Sequence, residues 1–220
     1  MPRSLLLDFN GVIINDEEQH RESLTATLGG YGISLSREGY YAEYLGFDDR
    51  ECFRHAFRTA GLSTGAAVIS EAVAGKGRAY QALISERMDL VPGSIAFIEA
   101  AFRDGISMGI VSAARREEIE FVLKTAAVRD LVDVIVAAED VTTCKPSPEG
   151  YLYGLDLLGA DPATALAVED SIPGMQAARA AGLGVVMLAT SHPVAKLRKA
   201  GAEVVWEHFE GRAPQELPWS

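Results

Sequence analysis

Residues 165–174 read Ala-Leu-Ala-Val-Glu-Asp-Ser-Ile-Pro-Gly, a short apolar run that stops at two carboxylates and then meets a proline. A continuous apolar run of this length suits a strand buried on both faces, and a proline just beyond it suits the first turn of a helix. Residues 4–11, Ser-Leu-Leu-Leu-Asp-Phe-Asn-Gly, repeat the pattern of apolar run, acidic end and glycine turn. Working outward, four more runs read as strands, at 106–112, 132–137, 184–188 and 203–206. Segments with helical spacing lie between them, at 94–103, 116–126, 148–158, 173–181 and 193–200. Pro148, Pro173 and Pro193 stand near helix starts, and Gly105, Gly159, Gly182 and Gly201 stand at helix ends. Strand and helix in alternation predict a doubly wound, Rossmann-like α/β core around a parallel sheet.

One region breaks the rhythm. From Asp16 to Met88 the patterns are amphipathic and helical, with no convincing strand. This predicts an all-helical insert over 16–90, with 1–15 and 91–220 forming the α/β core and Val91-Pro92-Gly93 marking the return. The tail from 211 to 220, with Pro214 and Pro218, reads as irregular.

The 220 residues are 48% hydrophobic and 23% charged, which excludes a disordered or collagen-like chain. Lys and Arg number 20 against 31 Asp and Glu, a net charge of −11. Such an envelope repels phosphate backbones and anionic lipid heads, so neither nucleic acid nor a membrane is an expected partner. A small phosphorylated substrate stays open, because a pocket can be locally positive. No apolar stretch reaches membrane-spanning length, and Asp8 and Asn10 interrupt the only leader-like start at Leu5–Leu7. Cys52 and Cys144 stand far apart in no metal-ligand spacing, which reads as two packing thiols in a reducing cytoplasm.

In open α/β sheets ligands bind at the carboxyl ends of the strands. The polar residues there are Asp8 and Asn10 after the first strand, Ser112 after the second, Lys145 before the helix at Pro148, and Glu169 and Asp170 after the fourth. Converging carboxylates call for a hard cation with oxygen ligands such as Mg²⁺, and a lysine and a hydroxyl beside them bind an anion's oxygens. These are the requirements of phosphoryl transfer. Taken singly, each residue has an ordinary reading: Glu169-Asp170 as a cap for the helix at Pro173, Ser112 as a cap for a helix near Arg115, Lys145 as a solvated surface lysine. Their joint order argues otherwise.

That order resembles the haloacid dehalogenase superfamily, in the branch with a helical cap after the first strand that includes β-phosphoglucomutase and phosphoglycolate-phosphatase-like enzymes. The residues that carry it are Asp8-Phe9-Asn10-Gly11-Val12, Ile110-Val111-Ser112, Lys145-Pro146-Ser147-Pro148 and Val168-Glu169-Asp170-Ser171-Ile172-Pro173-Gly174. The resemblance implies Asp8 as a nucleophile forming an aspartyl phosphate. It implies Mg²⁺ held by Asp8, the backbone carbonyl of Asn10 and Asp170, with Glu169 as ligand or just behind. Ser112, the backbone N–H of Ala113 and Lys145 would bind phosphate. In the cap it points to His20, Arg50 and Lys76 as substrate residues, and for the whole chain to a monomer or weak dimer. For Lys76 the competing reading is a solvated lysine, and for Arg50 a local pair with Asp48 or Glu51.

The departure from the family pattern is Asn10. Phosphatases and mutases of the family carry an Asp there that protonates the leaving group and later activates water. An amide has no proton to exchange near neutral pH, and losing such a group typically costs about 10²–10⁴ in rate. Asn15 is also an amide, followed by Asp16 and Glu17, either of which is a candidate base. The leading expectation is therefore a phosphatase-type hydrolase slowed at one step. The alternatives are a phosphate-binding pseudoenzyme, a phosphonate hydrolase using Lys76 as a Schiff base, and a phosphosugar mutase. Asn10-Gly11 is in addition a pair prone to deamidation, which would restore an Asp.

Overall fold

The computed structural model describes residues 3–44 and 47–219. The chain divides into two compact units, Met1–Asn15 with Asp89–Ser220, and Asp16–Met88. In the first unit six strands form one all-parallel sheet: β1 (Ser4–Leu7), β2 (Ser107–Val111), β3 (Val134–Val136), β4 (Ala165–Glu169), β5 (Gly184–Leu188) and β6 (Val204–Trp206), ordered β3-β2-β1-β4-β5-β6. β1 lies in the middle, with Leu5 opposite Met108 on one side and Leu166 on the other. Its backbone groups are thereby paired on both edges, and Leu5, Leu6 and Leu7 are at most 1% exposed. That double burial is why the run carries no polar residue.

β1 is shorter than its apolar run suggests, for a local reason. Phe9 O accepts from the N–H groups of Val12, Ile13 and Ile14, so the chain turns directly after Asp8. Gly11 makes this possible with a φ of +72°, and its N–H closes the turn on Ile14 O at 2.7 Å. The helices of the second unit come first in the chain: α1 (Glu17–Gly29), α2 (Arg37–Gly39) running into a π turn at Tyr40–Tyr44, α3 (Asp49–Thr59) and α4 (Ala66–Glu86). Those of the sheet unit are α5 (Ser94–Arg103), α6 (Arg116–Thr125), α7 (Glu149–Leu158), α8 (Ile172–Ala180) and α9 (Val194–Lys199). Leu6, Val111, Val136 and Ala167 of the sheet pack with Tyr151 and Leu155 of α7, while Met187 packs with Met175 of α8 and Leu197 of α9.

The helical unit contains no strand among its described residues. On α3, Cys52, Phe53, Ala56 and Phe57 recur at helical spacing and join Leu24, Leu28, Tyr40, Ile69 and Val73 in a core of their own. Asp48 caps this helix by accepting from Glu51 N at 2.8 Å, so it is not a partner for Arg50. Cys52 is a packing residue as expected, but Cys144 is exposed: it sits in a loop that must present Lys145, not in the core. Among the described residues no helix is long and apolar enough to cross a membrane.

Candidate active site

The sheet unit brings the strand-end residues together. Asp8 N–H extends the β1–β4 ladder by donating to Val168 O at 3.0 Å, which fixes the Asp8 side chain at the carboxyl edge. Lys145 reaches the same point from the loop before α7. Its ammonium lies 2.8 Å from Asp8 Oδ1, 2.6 Å from Glu169 Oε1 and 2.9 Å from Val111 O, so its three N–H donors meet three acceptors. The loop is held by Glu149, whose carboxylate accepts from Thr142 N at 2.8 Å and Thr143 N at 3.0 Å. The Lys145–Pro146 peptide is cis. Lys145 is thus a bonded, half-covered group and not the solvated lysine of the ordinary reading.

Glu169 is fully buried. Tyr151 OH donates to its Oε1 at 2.7 Å, and its Oε2 accepts from Asp170 N, Ser171 N and Ser171 Oγ at 3.2, 3.4 and 3.1 Å. A Cβ on Gly174 would overlap this carboxylate, so the first turn of α8 must carry glycine there. The cap of α8 is Ser171, which accepts from Gly174 N at 3.0 Å; Glu169 and Asp170 do not cap it. Ser112 does not cap α6, which starts after Arg115. Its hydroxyl accepts from Ala114 N at 3.1 Å and faces Asn10 Oδ1 at 3.5 Å. The Ala113 N–H beside it has no hydrogen-bond acceptor among the described residues.

Oxygens of Asp8, Glu169 and Asp170 all lie within 4.8 Å of one another. Burial first, then the neighbouring Glu169, pushes the Asp8 carboxyl up to about 6, although Lys145 pulls the other way. Burial, then Asp8 and Glu169, pushes Asp170 up to about 8. Burial alone would lower the Lys145 ammonium, but the carboxylates of Asp8 and Glu169 outweigh it and hold the group well above its ordinary value. One ammonium bonds two of the three carboxylates, Asp8 and Glu169, and Asp8 and Asp170 are driven toward their neutral forms. All donors are oxygen, so the set fits a hard divalent cation.

The residues expected in the cap, taken within their own unit, behave differently. Lys76 is 2% exposed, with its ammonium 2.7 Å from Asp49 Oδ1 and 2.6 Å from His20 Nδ1. This overturns the solvated reading of Lys76. His20 Nε2 lies 3.2 Å from Asp16 Oδ2, which also accepts from Tyr80 OH, and the His20 ring stacks on Tyr80 at 4.6 Å. Arg50 is exposed and makes no ion pair among the described residues, with Asp48 or Glu51 or otherwise. Of the candidate bases, Asp16 is committed to His20 and Tyr80, and Glu17 Oε1 accepts from Tyr40 OH at 2.5 Å.

Residues 5–188 match the haloacid dehalogenase-like hydrolase family, and the chain belongs to it. Among its relatives, the protein CbbY of Rhodobacter capsulatus is 30% identical over 191 residues, covering 84% of each chain. The validoxylamine A 7'-phosphate phosphatase of Streptomyces hygroscopicus subsp. limoneus is 28% identical, covering 95% of this chain and 99% of its own. A crystal structure of CbbY from Rhodobacter sphaeroides in complex with xylulose-(1,5)bisphosphate is 27% identical, with a TM-score of 0.83 and 95% of each chain covered. That crystallised chain is an aspartate-to-asparagine mutant.

Sequence reasoning passed over Tyr151, Thr190, Ser191, Glu149, Asp49 and Tyr80. Tyr151 follows Lys145 on the next helix, and its spacing was the one available signal. Glu149 starts the same helix and holds the loop six and seven residues before it, while the others approach from elements remote in sequence.

Proposed function

We propose that the chain is a Mg²⁺-dependent phosphatase of a small phosphorylated metabolite, working through an aspartyl phosphate at Asp8 and slowed by Asn10. The family match and the phosphatases among the relatives support the reaction class. The observation that carries the residue roles is the placement of the Asp8 carboxylate beside Lys145 and within reach of two further carboxylates. In this reading Met1–Asn15 with Asp89–Ser220 is the catalytic core and Asp16–Met88 the substrate-selecting cap.

Asp8, the Asn10 carbonyl and Asp170 would hold the cation, with Glu169 behind them. The bound Mg²⁺ supplies charge neutralisation for the nucleophile and the phosphate oxygens. Lys145 keeps Asp8 ionised and oriented, while Ser112 and the Ala113 N–H bind phosphate oxygens. As the Asp8 oxygen bonds to phosphorus, the phosphorus–oxygen ester bond breaks and the departing oxygen takes its electron pair. That oxygen needs a proton, which the Asn10 amide does not transfer. Leaving groups stable as anions escape this requirement. Water then attacks the aspartyl phosphate without a base at position 10, so hydrolysis of the intermediate is slow as well.

The test compares an aryl phosphate with an alkyl phosphate in the presence of Mg²⁺. The expected result is measurable aryl turnover with phosphoaspartate trapped at Asp8, and an alkyl rate that rises about 10²–10⁴-fold in Asn10→Asp. No turnover and no trapped phosphate in either protein overturns the reading. Turnover confined to Asn10→Asp supports the second reading, a phosphate-binding pseudoenzyme, which the amide at position 10 favours. The phosphonate alternative needs Lys76 as a neutral amine, and its pairing with Asp49 favours the ammonium instead.

A further inference from the structure

We propose that Thr190 and Ser191, in the loop after β5, are positioning residues that hold the two halves of the cation site in register. The inference rests on the reading of Asp8, Asn10 and Asp170 as that site. The site is split between two loops. One half is the turn after β1, and the other is Glu169–Asp170 at the end of β4. The β1–β4 pairing stops at Leu7 opposite Val168, with one further bond from Asp8 N. Beyond that point the sheet no longer fixes one loop against the other.

The loop after β5 reaches both. Thr190 Oγ1 donates to Gly11 O at 2.6 Å, which ties the Gly11–Val12 peptide, the next one along from the peptide that carries Asn10 O. The Ser191 hydroxyl donates to Asp170 Oδ2. The loop is itself anchored, by Met187 opposite Glu169 in the sheet and by Ala189 N–H on Trp206 O at 2.8 Å. Adjacent residues of one anchored loop therefore clamp the backbone of one half and the carboxylate of the other.

Asp170 needs this more than its neighbours do. The Lys145 N–H groups are used by Asp8, Glu169 and Val111, and none is left for Asp170. A hydroxyl that ties Oδ2 stops the carboxylate from rotating and leaves Oδ1 to face a cation. The two halves also touch: a Cβ on Gly11 would overlap the Asp170 carboxyl. A shift of either half moves the other, so one clamp on each is a coupled device. Both residues act through other groups, and neither needs to contact a substrate.

The experiment is Mn²⁺ binding to the metal-free full chain, followed by the loss of the free-ion resonance in paramagnetic resonance titrations. Ser191→Ala and Thr190→Val should each weaken Mn²⁺ about 10-fold or more, as outer partners of metal ligands commonly do. Thermal midpoints should move little. Ser191→Thr and Thr190→Ser, which keep a hydroxyl, should recover most of the affinity; a loss of folding unrelated to the hydroxyls would give no such recovery. Ser191→Ala and Thr190→Val proteins that bind Mn²⁺ like the parent overturn the proposal. A parent chain that binds no Mn²⁺ overturns the cation site itself, and does so before any variant is compared.

Discussion

Two buried polar clusters invite comparison, one in each unit of the chain. In the sheet unit Asp8, Glu169 and Asp170 cluster around one ammonium, that of Lys145, which bonds only the first two. In the helical unit Asp16 and Asp49 face Lys76 and His20, with Tyr80 closing the chain of contacts. The first cluster carries surplus negative charge and pushes two of its acids toward protonation. The second pairs its acids with basic side chains. A surplus of buried negative charge suits a cation, whereas a balanced cluster reads first as a fastening between helices. The same residue types thus serve opposite ends, and the balance of charge distinguishes them.

On the proposed role of Asp8 as nucleophile, Asp8→Asn should abolish turnover of an aryl phosphate, by about 10⁴-fold or more, because the amide does not take over that attack. Residual phosphoaspartate formation in that variant would move the nucleophile elsewhere. In the helical unit the expected loss is of stability. Lys76→Ala leaves Asp49 with both carboxylate oxygens unpaired, one already lacking a hydrogen-bond partner, and should cost about 3 kcal/mol in urea unfolding. A variant as stable as the parent would show that this pair is no fastening.

The pH dependence of the metal-free chain sharpens the contrast. Asp8 and Asp170 release protons at about 6 and about 8 in the folded chain, against 3.8 for an ordinary Asp. From the ordinary value up to each of these, the folded chain retains a proton that the unfolded chain has lost, so stability falls as pH rises from roughly 4 to 8. Added Mg²⁺ should flatten the slope, since it replaces those protons. A metal-free chain that gains stability over this window would contradict the surplus-charge account. The smallest effect belongs to Asp170→Asn, which relieves repulsion and should stabilise the metal-free chain by about 1 kcal/mol while removing the increment from Mg²⁺. Calorimetry with and without Mg²⁺ reads both, and a destabilised metal-free variant would refute it.

Much of the fold was legible because buried parallel strands leave a strong trace. The β4 and β5 runs and the α5 helix match the observed elements residue for residue. The ends of β1 and β3 were overestimated, because apolar composition continues past the point where the backbone turns. Glycines with positive φ at 105, 159, 182 and 201 stand at the predicted helix ends. The capping roles offered for Ser112 and Glu169-Asp170 did not hold, since a cap depends on side-chain direction that spacing does not reveal.

From the sequence alone it is legible that Asp8, Ser112, Glu169 and Asp170 stand at strand ends and Lys145 just before a helix, and in what order. It determined this because a period-two, doubly buried strand leaves few places for a polar residue except its end. It also determined that position 10 is an amide. Only the tertiary structure decided how charge is shared, because partners such as Tyr151, Ser191 and Asp49 come from distant elements. Burial and proximity set the charge on Asp8 and Asp170, and neither quantity exists until the chain is folded.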